Sequence, residues 1–120
     1  MIRQIDTHSV NASGSDTQIY FETSRGTILI AIGDEVIVGR ASFEDAVSVI
    51  DLTPYGGLMA GVSRYHLCIV RTLSGRFLIS DLDTRNGTHL NGRRIQPHEV
   101  YEIRNGDALC LGSMAITIHI

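Results

Sequence analysis

A chain of 120 residues with 43% hydrophobic and 19% charged side chains has the size and composition of one globular domain with a single core. No apolar run approaches the ~18 residues of a membrane span, and MIRQIDTHSVNASGSD lacks the apolar middle of a secretory signal, so a cytoplasmic protein without membrane attachment is expected. A net charge of −3 argues against a general nucleic-acid binder, and Cys68 and Cys110, outside any C-x-x-C or Cys/His cluster, predict no structural zinc and reduced thiols, with a disulfide between them as the alternative.

In chain order, residues 1–18 are rich in Ser, Thr, Asn and Gly and read as a flexible N-terminal extension to a domain over 19–120. From Ile19 the pattern changes to short β-rich runs separated by turn signals: IYFET, TILIAI, EVIVG, VSVIDL, HLCIV, RFLISDL, THLN, EVYEI, ALCL and MAITIHI. That spacing predicts an all-β antiparallel sandwich or barrel. The best helical stretch, SFEDAV at 42–47, is too short to be more than a loop embellishment. Ser74-Gly75, Asn91-Gly92 and Asn105-Gly106-Asp107 are hairpin signals, because Asn and Gly tolerate positive φ. The connection from Asp51 to His66 is long for a sandwich loop, and long loops on rigid scaffolds often carry function.

Charge is unevenly spread. All ten basic residues are arginines, and between Ala60 and Ile95 lie Arg64, Arg71, Arg76, Arg85, Arg93 and Arg94 against only Asp81 and Asp83. Arginine's planar fork suits phosphate and carboxylate, so this segment reads as an anion-facing surface, against the plainer reading of codon bias in a GC-rich genome.

The sequence argues against an enzyme. Ser63, His66 and Asp81 invite a triad, but Gly61-Val62-Ser63-Arg64-Tyr65 lacks the second glycine of a nucleophile elbow, and no helix follows to supply an oxyanion hole. A Walker A loop needs a lysine, and this chain has none. His8, His66, His89, His98 and His119 are scattered without ligand spacing. Neither metal nor cofactor is expected.

What remains is Gly39-Arg40, Ser63-Arg64-Tyr65-His66, and Asp81-Leu82-Asp83-Thr84-Arg85-Asn86-Gly87-Thr88 with the later Asn91-Gly92. In order and spacing this set resembles the forkhead-associated (FHA) domain, and Asn105-Gly106-Asp107 followed by Leu109, Leu111 and Gly112 is similar to the family's closing segment. The resemblance implies a sandwich of about eleven strands whose loops at one end bind phosphothreonine in an extended peptide. It makes Arg40, Ser63, Arg64, Thr84, Arg85 and Asn86 the phosphopeptide-binding residues. Arg40 would give charge-assisted hydrogen bonds and Ser63 a hydroxyl and a backbone N–H, since a dianion needs several donors to replace its water. Arg64 and Arg85 would add positive charge, Thr84 a hydroxyl, and Asn86 hydrogen bonds to the peptide main chain.

Gly39, His66, Gly87 and Thr88 are expected to support the site: the glycines as backbone requirements, His66 as a brace between loops, Thr88 through a side-chain to backbone hydrogen bond. Two departures stand out, Thr84 in place of the family's serine and Asp83 in place of a small residue. Tyr55 and Met59 are candidates for reading the flanking peptide, with loop packing as the alternative. The expected partner is a threonine-phosphorylated protein or peptide, such as a Ser/Thr kinase or its substrate, bound by a monomer. The alternative is a phospho-independent scaffold or dimerisation domain of the same fold, whose members typically lose the arginine or the serine present here.

Overall fold

The computed structural model describes residues 18–41 and 49–120. The helical stretch at 42–47 and nearly all of the N-terminal extension therefore lie outside the described residues. No described helix is long and apolar enough to cross a membrane.

Eleven strands form two facing sheets among the described residues. The six-stranded sheet runs β2 (Gly26–Ile30), β1 (Ile19–Thr23), β11 (Met114–His119), β10 (Ala108–Leu111), β7 (Thr88–Leu90), β8 (Arg93–Arg94). The five-stranded sheet runs β4 (Val49–Asp51), β3 (Glu35–Gly39), β5 (Tyr65–Arg71), β6 (Phe77–Asp81), β9 (Tyr101–Ile103). Alternation drives the assembly: Met114, Ile116 and Ile118 of β11 point inward between exposed Ala115, Thr117 and His119, and Phe77 and Ile79 do the same on β6. With Phe21, Ile30, Val38, Leu67, Ile69, Ile103 and Leu109 they fill one core, each such side chain contributing about 1.5–3 kcal/mol on burial.

The antiparallel sandwich holds with two corrections. The strand pair β3–β4 is parallel, Val38 facing Ile50, a pairing that no two-residue hairpin turn can make. Asn105-Gly106-Asp107 is not a hairpin: β9 and β10 lie in different sheets. This turn instead carries the chain across the sandwich, with Gly106 N–H donating to Ile118 O at 2.7 Å and Arg104 N–H to Asp107 Oδ2 at 2.8 Å. The Asn91-Gly92 hairpin is as expected, with φ of 52° and 84°, the pair of positive values that a type I′ turn requires.

Between β4 and β5 the long loop is compact. Leu52, fully buried, accepts hydrogen bonds at its carbonyl from Tyr55 and Gly57 N–H. Those bonds hold a 3-10 turn (Thr53–Tyr55) and a single-turn helix α1 (Gly57–Ala60) over the end of the sandwich.

Candidate functional site

The loops after β3, before β5, after β6 and between β10 and β11 meet at one end of the sandwich. Arg40 N–H donates to Arg64 O at 2.9 Å, Asn86 Nδ2–H to Gly61 O at 2.9 Å, Gly112 N–H to Gly87 O at 3.0 Å and Ser113 N–H to Ala60 O at 2.8 Å. Arg40, Ser63, Arg64, Arg85 and Asn86 are thus carried on loops tied directly to one another.

Gly39 lets the first two loops touch. A Cβ there would fall inside the Arg64 carbonyl and 2.8 Å from Ser63 O, both backbone atoms that cannot swing away. Gly39→Ala is therefore expected to push the Ser63–Arg64 segment off β3 and cost about 2–4 kcal/mol of stability, read by urea denaturation. A cost under about 0.5 kcal/mol would mean that the contact is easily relaxed.

His66 owes its position to a bulge. Register runs Val38 to Leu67 and then Gly39 to Tyr65, so His66 is the extra residue opposite one step of β3, and such bulges re-aim a side chain. The ring is fully buried. Its Nδ1 accepts the Ser63 N–H at 3.0 Å, and its Nε2 lies 3.0 Å from Gly87 O, an arrangement satisfied by the neutral tautomer with the proton on Nε2. Burial lowers its pKa from the ordinary histidine value, against the opposing pull of the Gly87 carbonyl and Asp81. His66 thus links the Ser63 and Gly87 loops, and the Ser63 N–H is spent on it, leaving the Ser63 hydroxyl as that residue's donor.

Thr84 and Thr88 are corrected by the same kind of accounting. Asp81 takes the last inward position of β6 and is 2% exposed. Its Oδ1 accepts from Thr84 Oγ at 2.7 Å and Thr88 Oγ at 2.6 Å, and its Oδ2 from Thr84 N–H at 3.0 Å. Thr84 is buried, its one hydroxyl proton goes to Asp81, and its oxygen accepts Gly87 N–H at 3.1 Å. It positions the loop and offers no proton outward. Thr88 ties the turn through a carboxylate and not through backbone. Burial raises the Asp81 pKa, but the hydrogen bonds from Thr88 and Thr84, with His66 nearby, outweigh it and hold the carboxyl below the usual range.

Asp83, the second departure, is exposed with φ of 63°, a conformation that Asp adopts more readily than most residues. Arg85 and Asn86 are exposed, Arg64 is exposed and Arg40 half-buried. Arg40 donates Nε–H to Val62 O at 2.6 Å, which fixes the guanidinium plane while the terminal nitrogens retain four N–H donors. Tyr55 packs 3.6 Å from the Cβ position of Gly26, so it is loop packing, whereas Met59 is 89% exposed on α1.

Sequence reasoning gave no individual role to Arg94, which the structure brings to the edge of this cluster, its guanidinium against Gly87. Gly87 has φ of 81° and is the last residue before β7; the signal available in the sequence was only the Arg-Arg pair after Asn91-Gly92. A separate open concavity of about 980 Å³ lies over the outer face of the six-stranded sheet, lined among others by Met59, His89, Cys110, Ala115 and Thr117. Tyr55 and Met59 line it, but Arg40, Ser63, Arg64, Thr84, Arg85 and Asn86 do not. Among the described residues no His, Cys, Asp or Glu cluster could hold a metal.

Comparison with known proteins agrees with this fold. A family model described as the FHA domain matches residues 36–112. The human E3 ubiquitin-protein ligase RNF8 is 36% identical over 89 residues, 74% of this chain and 17% of that protein; the chain spans about one sixth of the length of such curated relatives. A structure from a structural and functional analysis of phosphothreonine-dependent FHA domain interactions is 27% identical, with a TM-score of 0.64 over 87% of this chain and 97% of that one. The FhaA FHA domain, solved in complex with the intracellular domain of Rv3910, is 27% identical, with a TM-score of 0.62 over 84% of this chain and 99% of that one.

Proposed function

The chain belongs to the FHA domain family, and from that premise we propose that this phosphopeptide-binding module reads phosphothreonine in an extended segment of a partner protein. The mark it reads is one that a serine/threonine kinase writes. The observation that carries the reading is Arg40 held by its Nε on Val62 O, next to the Ser63–Arg64 backbone that it also grips. A phosphate dianion seated against Arg40 and the Ser63 hydroxyl gains charge-assisted hydrogen bonds, each about 1.5–3 kcal/mol. Arg64 and Arg85 add positive potential at the rim, and Asn86 offers its remaining amide groups to the peptide main chain. Thr84, Thr88, His66 and Gly39 hold those groups in place. The work is recognition and not catalysis: Ser63 has no base at its hydroxyl, because the His66 ring is occupied by Ser63 N–H and Gly87 O.

Isothermal titration with a phosphothreonine peptide, its unphosphorylated twin and a phosphoserine twin tests the proposal. Binding of the first with at least about 30-fold loss for the second is expected, since the unphosphorylated peptide forfeits at least about 2 kcal/mol of charged contacts. The threonine methyl alone is worth about 0.8 kcal/mol, so the phosphoserine peptide should fall only several-fold unless it also loses a fixed rotamer. Equal binding of phosphorylated and unphosphorylated peptides would refute the reading.

A further inference from the structure

We propose that the outer face of the six-stranded sheet is a self-association surface, on which a second copy of this chain docks face to face about a two-fold axis. It uses none of the phosphate-binding residues named above. The two ends of this face differ in relief. Antiparallel pairing sets Tyr20 between Leu29 and His119, and Glu22 between Thr27 and Thr117, all at outward positions of β1, β2 and β11. Tyr20 and Leu29, 36% and 48% exposed, form an apolar ridge at the end where β11 finishes. Where β11 begins, the outward side chains are small: Ala115 pairs with Cys110 and Thr117 with Ala108. They floor the concavity of about 980 Å³, with Met59 and Arg25 standing at its wall. Ser113 N–H and Oγ–H both donate to Ala60 O, at 2.8 and 3.2 Å, which seats α1 at this hollow end.

A ridge and a hollow on one face give the relief that an isologous contact needs. A second copy turned over so that its strands run the opposite way lays each ridge in the other's hollow, two identical contacts at once. Charge follows the same division. At the hollow end the Arg25 guanidinium packs on Gly56, its Cζ 3.1 Å from where a Cβ would stand, and among the described residues no carboxylate forms an ion pair with it. Glu22 is one outward step from Tyr20 on β1. Its Oε1 lies 2.7 Å from His119 Nε2, and among the described residues its other oxygen has no donor. A ridge lowered into a hollow therefore brings Glu22 of one copy to Arg25 of the other, and the symmetry repeats the pair.

The size of the face sets the strength. It runs roughly 17 Å along the strands and about 19 Å across four of them. With the α1 wall, two such faces bury on the order of 1,000 Å² together, the low end for specific association. The dimer is accordingly weak, with a dissociation constant on the order of 10–100 µM.

The test is sedimentation velocity on the full chain, treated with phosphatase so that no phosphothreonine contact between copies imitates the surface. Runs from about 5 to about 500 µM bracket the expected constant and should show a shift from monomer to dimer. Leu29→Glu, at the exposed ridge, should leave the chain monomeric throughout. Leu73→Glu, at an equally exposed position in the β5–β6 loop, should change nothing. Arg25→Glu and Glu22→Arg should each weaken association by roughly three- to thirtyfold, because the two-fold counts every exposed pair twice. An equimolar mixture of these two variants should associate again, since in the mixed dimer both contacts join a glutamate to an arginine. A chain that stays monomeric at every concentration, association untouched by Leu29→Glu, or a mixture no stronger than its components would overturn the proposal. Each of those results leaves the phosphothreonine reading as it stands.

Discussion

Arg40→Ala is expected to lower affinity for a phosphothreonine peptide by roughly 30- to 700-fold, about 2–4 kcal/mol, while leaving the domain folded. The expectation comes from two features that separate binding from stability. Arg40 is half-buried at the end of β3, and its position is set by backbone contacts that alanine keeps: its N–H and that of Ala41 both donate to Arg64 O, at 2.9 and 3.1 Å. What the substitution removes is the side chain, which makes one hydrogen bond to Val62 O, worth about 1 kcal/mol to the fold, and holds the remaining donors toward the anion. Arg40→Lys should recover only part of the loss, because an ammonium cannot keep the Val62 bond and present a planar fork at once. Titration calorimetry for binding and thermal unfolding for stability separate the two. If affinity fell less than threefold, Arg40 would not be a phosphate ligand; if binding and Tm collapsed together, its role would be structural.

Much of the sandwich was legible because strand alternation is local: Ile19, Phe21, Met114, Ile116 and Ile118 announce their faces within five or six residues. Topology was less so. Asn105-Gly106 has the same chemistry as Asn91-Gly92, and nothing in either dipeptide distinguishes a hairpin from a crossing between sheets; the difference lies in which strand edges are open when the chain arrives. The parallel β3–β4 pair depends likewise on a connection outside both strands. In the site, residue type identified the loops that meet but not the direction of each donor. Thr84 and Ser63 were read as donors to a ligand, and the hydroxyl of one and the N–H of the other proved to be consumed internally, by Asp81 and His66. Asp81 was read as part of a motif, and its three donors emerge only when Thr84 and Thr88 fold back across the turn. Arg94 escaped notice because its contact with Gly87 is set by the β7–β8 register, seven residues away in sequence.

Asp81→Asn should lower stability by about 2–4 kcal/mol, with a fall in Tm on the order of 10–20 °C, although the side chains are nearly isosteric. In the native site Oδ1 accepts two hydroxyls and Oδ2 a backbone N–H. An amide placed there supplies one oxygen and two N–H donors: with its nitrogen at the Oδ2 position a buried donor faces the Thr84 N–H, and turned the other way it takes from the Thr84 and Thr88 hydroxyl protons their shared carboxylate acceptor. Asp83→Asn, two residues on at an exposed position with φ of 63°, is the matched control and should stay within about 0.5 kcal/mol, because Asn also tolerates that conformation. The pH dependence gives a second signature. The Asp81 pKa is depressed on folding, so its stabilisation is present above the unfolded value of about 3.9 and is lost as pH falls through the lower folded value. The His66 pKa is also lowered: the unfolded state gains a proton near pH 6.5 while the folded state resists, so stability falls as pH drops below that value in both proteins. Asp81→Asn should therefore retain the upper step and lose the lower one, and its deficit against the unmodified protein should narrow below about pH 3.9. Urea denaturation from pH 8 to pH 3 reads both steps. A deficit under about 0.5 kcal/mol at pH 7 would show that Thr84, Thr88 and the loop they anchor are held by something other than this carboxylate.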